Sequence, residues 1–436
     1  MNRAARCLYT LIWWLATPLV LGYLWRRGRR QPEYRRDWGE RFGRYEAPAQ
    51  SRPTLWLHAV SVGETRAAAP LVEALLQRHP GHRLLLTQMT PTGRATARQL
   101  FGERVELAYL PYDRPDAVAR FLDRFRPELG VLLETELWPN LIHACAERGM
   151  PLHLVNARLS ERSLAGYRRV RGLIAPALAR LGAVAAQSAD DAERLRSLLD
   201  PGTSGPVFSV IGNLKYDFAA DPALVARGQT WRAAAGTRPV WLIASSREGE
   251  EALLLDALAR RPIGGLLVLV PRHPQRFDVV AALLTARGLS WRRRSEWNGA
   301  DPLEQDVLLG DSLGELAAYL AMADLTVMGG SLLDFGCHNL IEPCAVGVPV
   351  LIGPSTFNFA EVVRDALAAG AARQADDADG LLALVDQLLA DPTGRAAMAQ
   401  AGRELVQRNR GALARALAVI EPGLRHDGPA RPAHSS

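Results

Sequence analysis

A chain of 436 residues that is 48% hydrophobic is too long for one ordinary domain and apolar enough to fill two cores. Its formal charge of +6 is concentrated: residues 1–44 hold ten arginines against three acids, so the remaining chain sums to −1, and no nucleic-acid partner is expected. Four cysteines, Cys7, Cys145, Cys337 and Cys344, have neither metal-ligand spacing nor the density of a disulfide framework, which fits a reducing compartment and gives no metal site.

The first element is Leu8 to Trp25, 18 residues without a charge, flanked by Arg3 and Arg6 before it and by Arg26, Arg27, Arg29 and Arg30 after it. Spanning a bilayer core takes about 20 apolar residues. A cleaved signal peptide would carry about 7–15 apolar residues and a small-x-small site, whereas this segment ends in Trp-Arg-Arg. Residues 1–30 therefore read as an uncleaved membrane anchor with a basic flank. The larger arginine cluster on its C-terminal side places the body in the cytoplasm and can meet anionic membrane lipids. Whether the segment spans the bilayer or lies in its interface stays open at this point.

From Thr54 onward, short apolar runs alternate with amphipathic stretches, the pattern of parallel α/β domains. Strands are expected at 54–60, 83–87, 105–110, 129–134, 153–155 and 183–186 in the first half. In the second half they are expected at 207–211, 240–244, 266–270, 307–309, 325–328 and 348–352. Pro201 to Pro206, with two glycines, is the strongest punctuation. It divides an N-terminal domain, 31–207, from a C-terminal one, 208–424, and residues 425–436 read as a frayed tail.

Ligands of open α/β sheets gather at the carboxyl ends of strands, and five such places carry suggestive chemistry. After the first strand, Ser61 and Glu64 have the spacing of a capping box, while a carboxylate there could equally deprotonate an acceptor hydroxyl. The fourth strand ends in Glu134-Thr135-Glu136 before a helix starting near Pro139, and strand alternation would turn one of the two acids toward a ligand. Lys215 is the single lysine among 52 basic residues. A compact ammonium at a phosphate or carboxylate explains its retention, against chance survival. Arg272, in the rigid Pro271-Arg272-His273-Pro274 loop, suits phosphate or carboxylate unless it is a surface arginine. Ser312 and Glu315 again have capping-box spacing, and the first-turn amides of Leu313, Gly314 and Glu315 could face a nucleotide.

The most specific stretch is 329–354. Gly329 and Gly330 permit close backbone approach, His338-Asn339 are expected to open a helix suited to an anion, and Glu342 could accept from ribose hydroxyls. This order suggests a nucleotide-activated sugar. The G-x-x-x-x-G-K-[ST] loop, a G-x-G-x-x-G fingerprint after the first strand and a G-x-S-x-G elbow are all absent.

These motifs together resemble the bacterial 3-deoxy-D-manno-octulosonic acid (Kdo) transferases of lipopolysaccharide synthesis. The likeness runs from the anchor through Ser61-Val62-Gly63-Glu64, Glu134 to Asn140, Asn213 to Asp217, Pro271 to Pro274, Ser312 to Leu316 and His338 to Pro343. It implies a GT-B fold, two Rossmann-like domains facing across a cleft, and metal-independent, inverting transfer of Kdo from CMP-Kdo to the lipid A precursor at the inner membrane, without a cofactor. It further implies that Glu64 is the general base and that Glu134 (or Glu136) and Lys215 stabilise the transition state. Pro271, Arg272, Leu313, Gly314, Glu315, Asn339, Leu340, Ile341 and Glu342 would hold CMP. Two positions depart from the family pattern: Cys337 stands where glycine is usual and Arg247 where histidine is common. The alternatives are a GT-B transferase using a UDP-sugar on a membrane lipid, a nucleotide-sugar epimerase, and a membrane-tethered binding protein.

Overall fold

The computed structural model describes residues 3–29, 31–46 and 52–424. The tail read at 425–436 lies outside the described residues, as do residues 1, 2 and 30 of the anchor segment. An N-terminal helix, α1 (Arg3–Arg27), is followed by strands β1 (Thr54–His58), β2 (Arg83–Gln88), β3 (Glu106–Tyr109), β4 (Pro127–Leu133), β5 (Leu152–Ala157), β6 (Ala183–Ala186) and β7 (Val207–Val210). These form one parallel seven-stranded sheet in the order β3-β2-β1-β4-β5-β6-β7. A second parallel sheet, ordered β10-β11-β9-β8-β12-β13-β14, comprises β8 (Val240–Ser246), β9 (Leu266–Pro271), β10 (Trp291–Arg293), β11 (Val307–Leu309), β12 (Leu325–Met328), β13 (Val350–Ile352) and β14 (Ala372–Gln374).

The strands read as continuous apolar runs because helices cover both faces of each sheet. Strand alternation then sends neighbours into different cores. Trp56, Leu85 and Leu132 join Phe121 and Ile142 on one side of the first sheet. Leu55, Leu57, Leu84 and Val131 join Leu71, Leu75 and Phe101 on the other. The second sheet repeats the scheme, with Leu242, Val268 and Val350 in one core and Trp241, Ile243, Leu267 and Leu351 in the other.

Two compact units result: residues up to Lys215 together with those from Gly411 onward, and Tyr216–Arg410. The expected strand at 207–211 belongs to the first sheet, where β7 pairs with β6 from Ala183↔Val207 to Ala186↔Val210. Pro201 to Pro206 is thus a connection within a unit, and the chain crosses between Lys215 and Tyr216 rather than at 207/208. The chain then returns: Ala412, Ala416, Leu417 and Ile420 are buried with Leu57, Leu71 and Val131 in the first unit.

Each sheet has one place where the order of strands reverses, between β1 and β4 in the first and between β8 and β12 in the second. Loops leaving such a switch point diverge, opening a crevice for ligand. Those loops carry Ser61–Glu64 and Glu134–Trp138 in the first sheet, and Arg247–Glu250 and Gly329–Glu342 in the second.

Candidate active site

In the first unit, β1 leads through Ser61 into α2 (Val62–Arg78). Ser61 is the extended N-cap residue, its hydroxyl accepting from the Glu64 amide at 3.4 Å. The Glu64 carboxylate folds back, accepting from the Val60 amide at 2.8 Å and the Ser61 hydroxyl at 2.9 Å. The capping arrangement is therefore real. It also fixes the carboxyl group beside other acids. Burial, then the negative charge of Glu134 and of Glu136, raise the Glu64 pKa from 4.5 to about 7 against the two stabilising hydrogen bonds.

Strand β4 ends at Leu133, so both acids expected at its tip stand in the following turn, where strand alternation no longer sorts them. What sorts them is the backbone. Glu134 is left-handed, φ 58°, held by its amide to the Val155 carbonyl (3.2 Å) and by the Arg158 amide to its own carbonyl (3.4 Å). Its carboxylate pairs with the Lys215 ammonium at 2.9 Å. Glu136 instead accepts from the Trp138 indole at 2.7 Å, and burial raises its pKa.

Lys215 belongs to the first unit, where it is the last residue before the chain crosses into the second. Its short 3-10 turn, Leu214–Tyr216, hangs from two asparagines: Asn156 Oδ1 accepts the Leu214 amide and Asn213 Oδ1 the Lys215 amide, both at 3.0 Å. The half-buried trio Glu64, Glu134 and Lys215 is thus assembled from the two loops of the switch point and the turn that follows β7.

The second unit assembles backbone geometry around a buried carboxylate that sequence reasoning missed. Glu250, 1% exposed, accepts from the amides of Arg247 (2.8 Å), Gly330 (2.7 Å) and Leu332 (2.9 Å), stitching the loop after β8 to the loop after β12. Gly329 packs so closely that a Cβ would lie 2.3 Å from the Ser245 carbonyl oxygen, and Gly330 is left-handed at φ 69°. Two adjacent acids opening the helix that follows an apolar strand, Glu250-Glu251, were the available signal.

Around that loop the expected donor residues gather in part. Glu342 accepts from the Asn339 side chain at 3.3 Å. Burial raises its pKa, opposed by Asn339 and by the Arg272 charge. Exposed Arg272 donates its amide to the Ser246 carbonyl at 3.0 Å. Burial, then the charges of Arg247 and Arg272, lower the pKa of His273, and the Arg247 guanidinium lies 4.4 Å from the Phe335 ring centroid. Pro271 ends β9, and Leu340 and Ile341 are buried in the core.

Two helix starts differ from expectation. The helix after His338-Asn339 begins only at Ile341, with Asn339 Oδ1 accepting the Ile341 amide at 3.0 Å. Residues 329–335 instead make turns, after which Cys337 is left-handed at φ 67°. Leu313, Gly314 and Glu315 precede a helix that starts at Leu316, so their amides are not its first turn. Nor is Ser312 its N-cap. Its hydroxyl contacts the Glu315 carboxylate (2.5 Å) and the Tyr319 hydroxyl (2.6 Å), and Glu315 is ion-paired to Arg227 and Arg294.

Residues 36–218 match the model of the 3-deoxy-D-manno-octulosonic-acid transferase (kdotransferase) family and residues 303–405 that of the group 1 glycosyl transferases. A 3-deoxy-D-manno-octulosonic acid transferase of Bordetella pertussis is 44% identical over 96% of this chain and 99% of its own. One from Haemophilus influenzae is 36% identical over 97% and 99%. Among solved structures, Acinetobacter baumannii MurG matches 85% of this chain and 99% of its own at 13% identity and a TM-score of 0.50, a likeness of fold alone. With two parallel sheets of the GT-B type beneath these matches, the chain belongs to the 3-deoxy-D-manno-octulosonic acid transferase family of glycosyltransferases.

Proposed function

We propose that this enzyme transfers Kdo from CMP-Kdo to a sugar hydroxyl of the lipid A precursor, lipid IVA, on the cytoplasmic side of the inner membrane, where α1 and its arginines hold it. The observation that carries the reading is Glu64, whose pKa of about 7 lies beside the Glu134–Lys215 pair. A general base works best when its pKa is near the working pH.

The step is an in-line displacement. Glu64 takes the acceptor hydroxyl proton, the oxygen forms a bond to the anomeric carbon, and the bond from that carbon to the CMP phosphate oxygen breaks, CMP leaving with the electron pair. Lys215, held by Glu134, offsets negative charge on the reacting sugar. In the second unit Arg272 pairs with the nucleotide phosphate, the loops at 313–315 and 339–341 hold CMP, and Glu342 accepts from its ribose. These groups carry the charge compensation without a metal ion or cofactor.

The test is purified enzyme in detergent with lipid IVA and either CMP-Kdo or UDP-N-acetylglucosamine, read by lipid mass. Kdo increments with the first donor, lost in Glu64→Gln, are expected. An increment with the UDP donor alone would overturn the donor assignment and leave the fold standing.

A further inference from the structure

We infer that α1 lies lengthwise in one leaflet of the membrane, docked on the first unit, and does not cross the bilayer. The inference deepens the membrane attachment proposed above and rests on it. Its basis is a division of the helix into two opposite faces along its whole length.

On the docked face, Tyr9, Trp13, Thr17 and Val20 are half-buried and Leu24 is 2% exposed, a spacing of three and four residues that keeps one stripe turned toward the protein. Contacts run from end to end of that stripe. The Asn140 side chain donates to the Thr10 hydroxyl at 3.1 Å, and Trp13 stacks on Tyr112 with centroids 5.5 Å apart. The Arg114 guanidinium sits 3.6 Å from the Trp14 ring centroid and donates to Thr17 at 3.4 Å. Leu24 packs with Tyr34 and Tyr112. From Tyr9 to Leu24 the docked length is about 22 Å at 1.5 Å per residue.

The opposite face holds Leu8, Leu11, Ile12, Leu15 and Leu19, between 53% and 77% exposed. A helix perpendicular to a bilayer about 30 Å thick would carry its docked partner into the hydrocarbon. Arg114 touches the middle of α1, and an arginine at that depth costs about 2.5–3.5 kcal/mol by insertion scales. Buried Asp113, which accepts the amides of Asn140 and Leu141 at 2.9 and 2.8 Å, would follow it.

In the membrane plane every one of these contacts persists. The leucine face enters the acyl layer to a depth of about 5–10 Å, and exposed Arg26, Arg27, Arg29 and Arg35 meet anionic head groups. The polar face that such helices usually carry is replaced here by protein. The occupant of the leucine face is thus a phospholipid leaflet.

The test uses the native thiol pattern: Cys7 is exposed and Cys145, Cys337 and Cys344 are buried. In a Cys7→Ser background, single cysteines are placed at exposed Ala4 and exposed Arg29. Inverted inner-membrane vesicles from bacteria expressing each variant are treated with a membrane-impermeant maleimide. Equal labelling of Ala4→Cys and Arg29→Cys without permeabilisation is expected. Membrane-bound protein with Ala4→Cys protected until detergent is added overturns the in-plane helix and leaves the attachment intact, whereas protein found only in the soluble fraction overturns the attachment itself. A second readout places an environment-sensitive dye at Leu11→Cys, Leu15→Cys and Leu19→Cys. One shared depth by spin-labelled-lipid quenching supports the inference, and a gradient through the bilayer refutes it.

Discussion

The two switch points are built on the same topology but filled with opposite chemistry. In the first sheet, the loops after β1 and β4 and the turn at Lys215 present side chains: a half-buried carboxyl whose pKa is raised to about 7 by burial and Glu134, and an ion pair. In the second, the loops after β8 and β12 spend their carboxylate internally, Glu250 accepting the amides of Arg247, Gly330 and Leu332. The groups proposed to hold the donor there are main chain, Arg272 and the Glu342 carboxylate. Proton transfer needs a group whose charge can change, whereas holding an anion needs donors whose charge does not. On this comparison the proposed chemistry falls to the first unit and the proposed donor binding to the second.

The sharpest break of that division is Glu64→Gln. Loss of a positioned base lowers the transfer rate by about 10²–10⁴-fold, and CMP binding, measured by calorimetry, stays unchanged. A parallel loss of CMP affinity would dissolve the distinction between the units. The wild-type rate at low acceptor should rise tenfold per pH unit and level off above about 7, the pKa to which burial and Glu134 lift Glu64. The stability sign is opposite. Native Glu64 holds its proton more tightly than the unfolded chain does, so its stabilising contribution is full below about 4.5 and lost as pH passes about 7. Glu64→Gln should gain melting temperature relative to wild type as pH rises through that window.

Next in size is Lys215→Met, expected to cost about 10²–10³-fold in rate, the scale for removing one transition-state donor. It also leaves Glu134 unpaired beside Glu64, so the rising limb of the pH profile moves upward by about one unit. Arg272→Ala should act differently. Loss of a charge-assisted hydrogen bond of about 1.5–3 kcal/mol raises the donor KM about ten- to a hundredfold, with the rising limb unmoved. If Arg272→Ala shifts the limb, the two units share the proton chemistry after all.

How far the sequence disclosed this division follows from what local pattern can encode. All twelve expected strands exist, because short apolar runs are visible residue by residue; most are buried on both faces, and β7, with Val207 and Val210 exposed, is the exception. The two it missed, Trp291–Arg293 and Ala372–Gln374, are sheet edges of three residues that carry arginine in place of an apolar run. Turn composition marked Pro201 to Pro206 correctly as a loop. It could not say whether β7, whose pairing with β6 is a tertiary fact, lay before or after the domain boundary. Among site residues, Glu64, Glu134 and Lys215 were legible as unusual side chains at strand ends, and they do meet. That Glu134 rather than Glu136 pairs with Lys215 depends on a left-handed backbone at a non-glycine residue, which no propensity announces. Glu250 was hidden because Gly330 and Leu332, whose amides it accepts, lie about 80 positions away.

Glu250→Gln tests that hidden element. An amide group placed against four backbone donors leaves at least one pair mismatched, so stability falls by about 1–3 kcal/mol and donor KM rises with the disordered loop, while the pH limb set by Glu64 stays in place. The smallest expected effect is at Cys337, also in the second unit. A non-glycine residue held at φ 67° costs about 1–2 kcal/mol, and Cys337→Gly removes that strain. It also removes a thiol that is 1% exposed and gives the unfolded chain more freedom to lose. These terms oppose one another at similar size, so the melting temperature should change by no more than about 1 kcal/mol would produce. The informative quantity is CMP affinity. If the loop carrying Gly330 and Cys337 acts through its backbone alone, Cys337→Gly binds CMP as wild type does. A severalfold change would make the Cys337 side chain part of donor selection, beside Arg272 and Glu342.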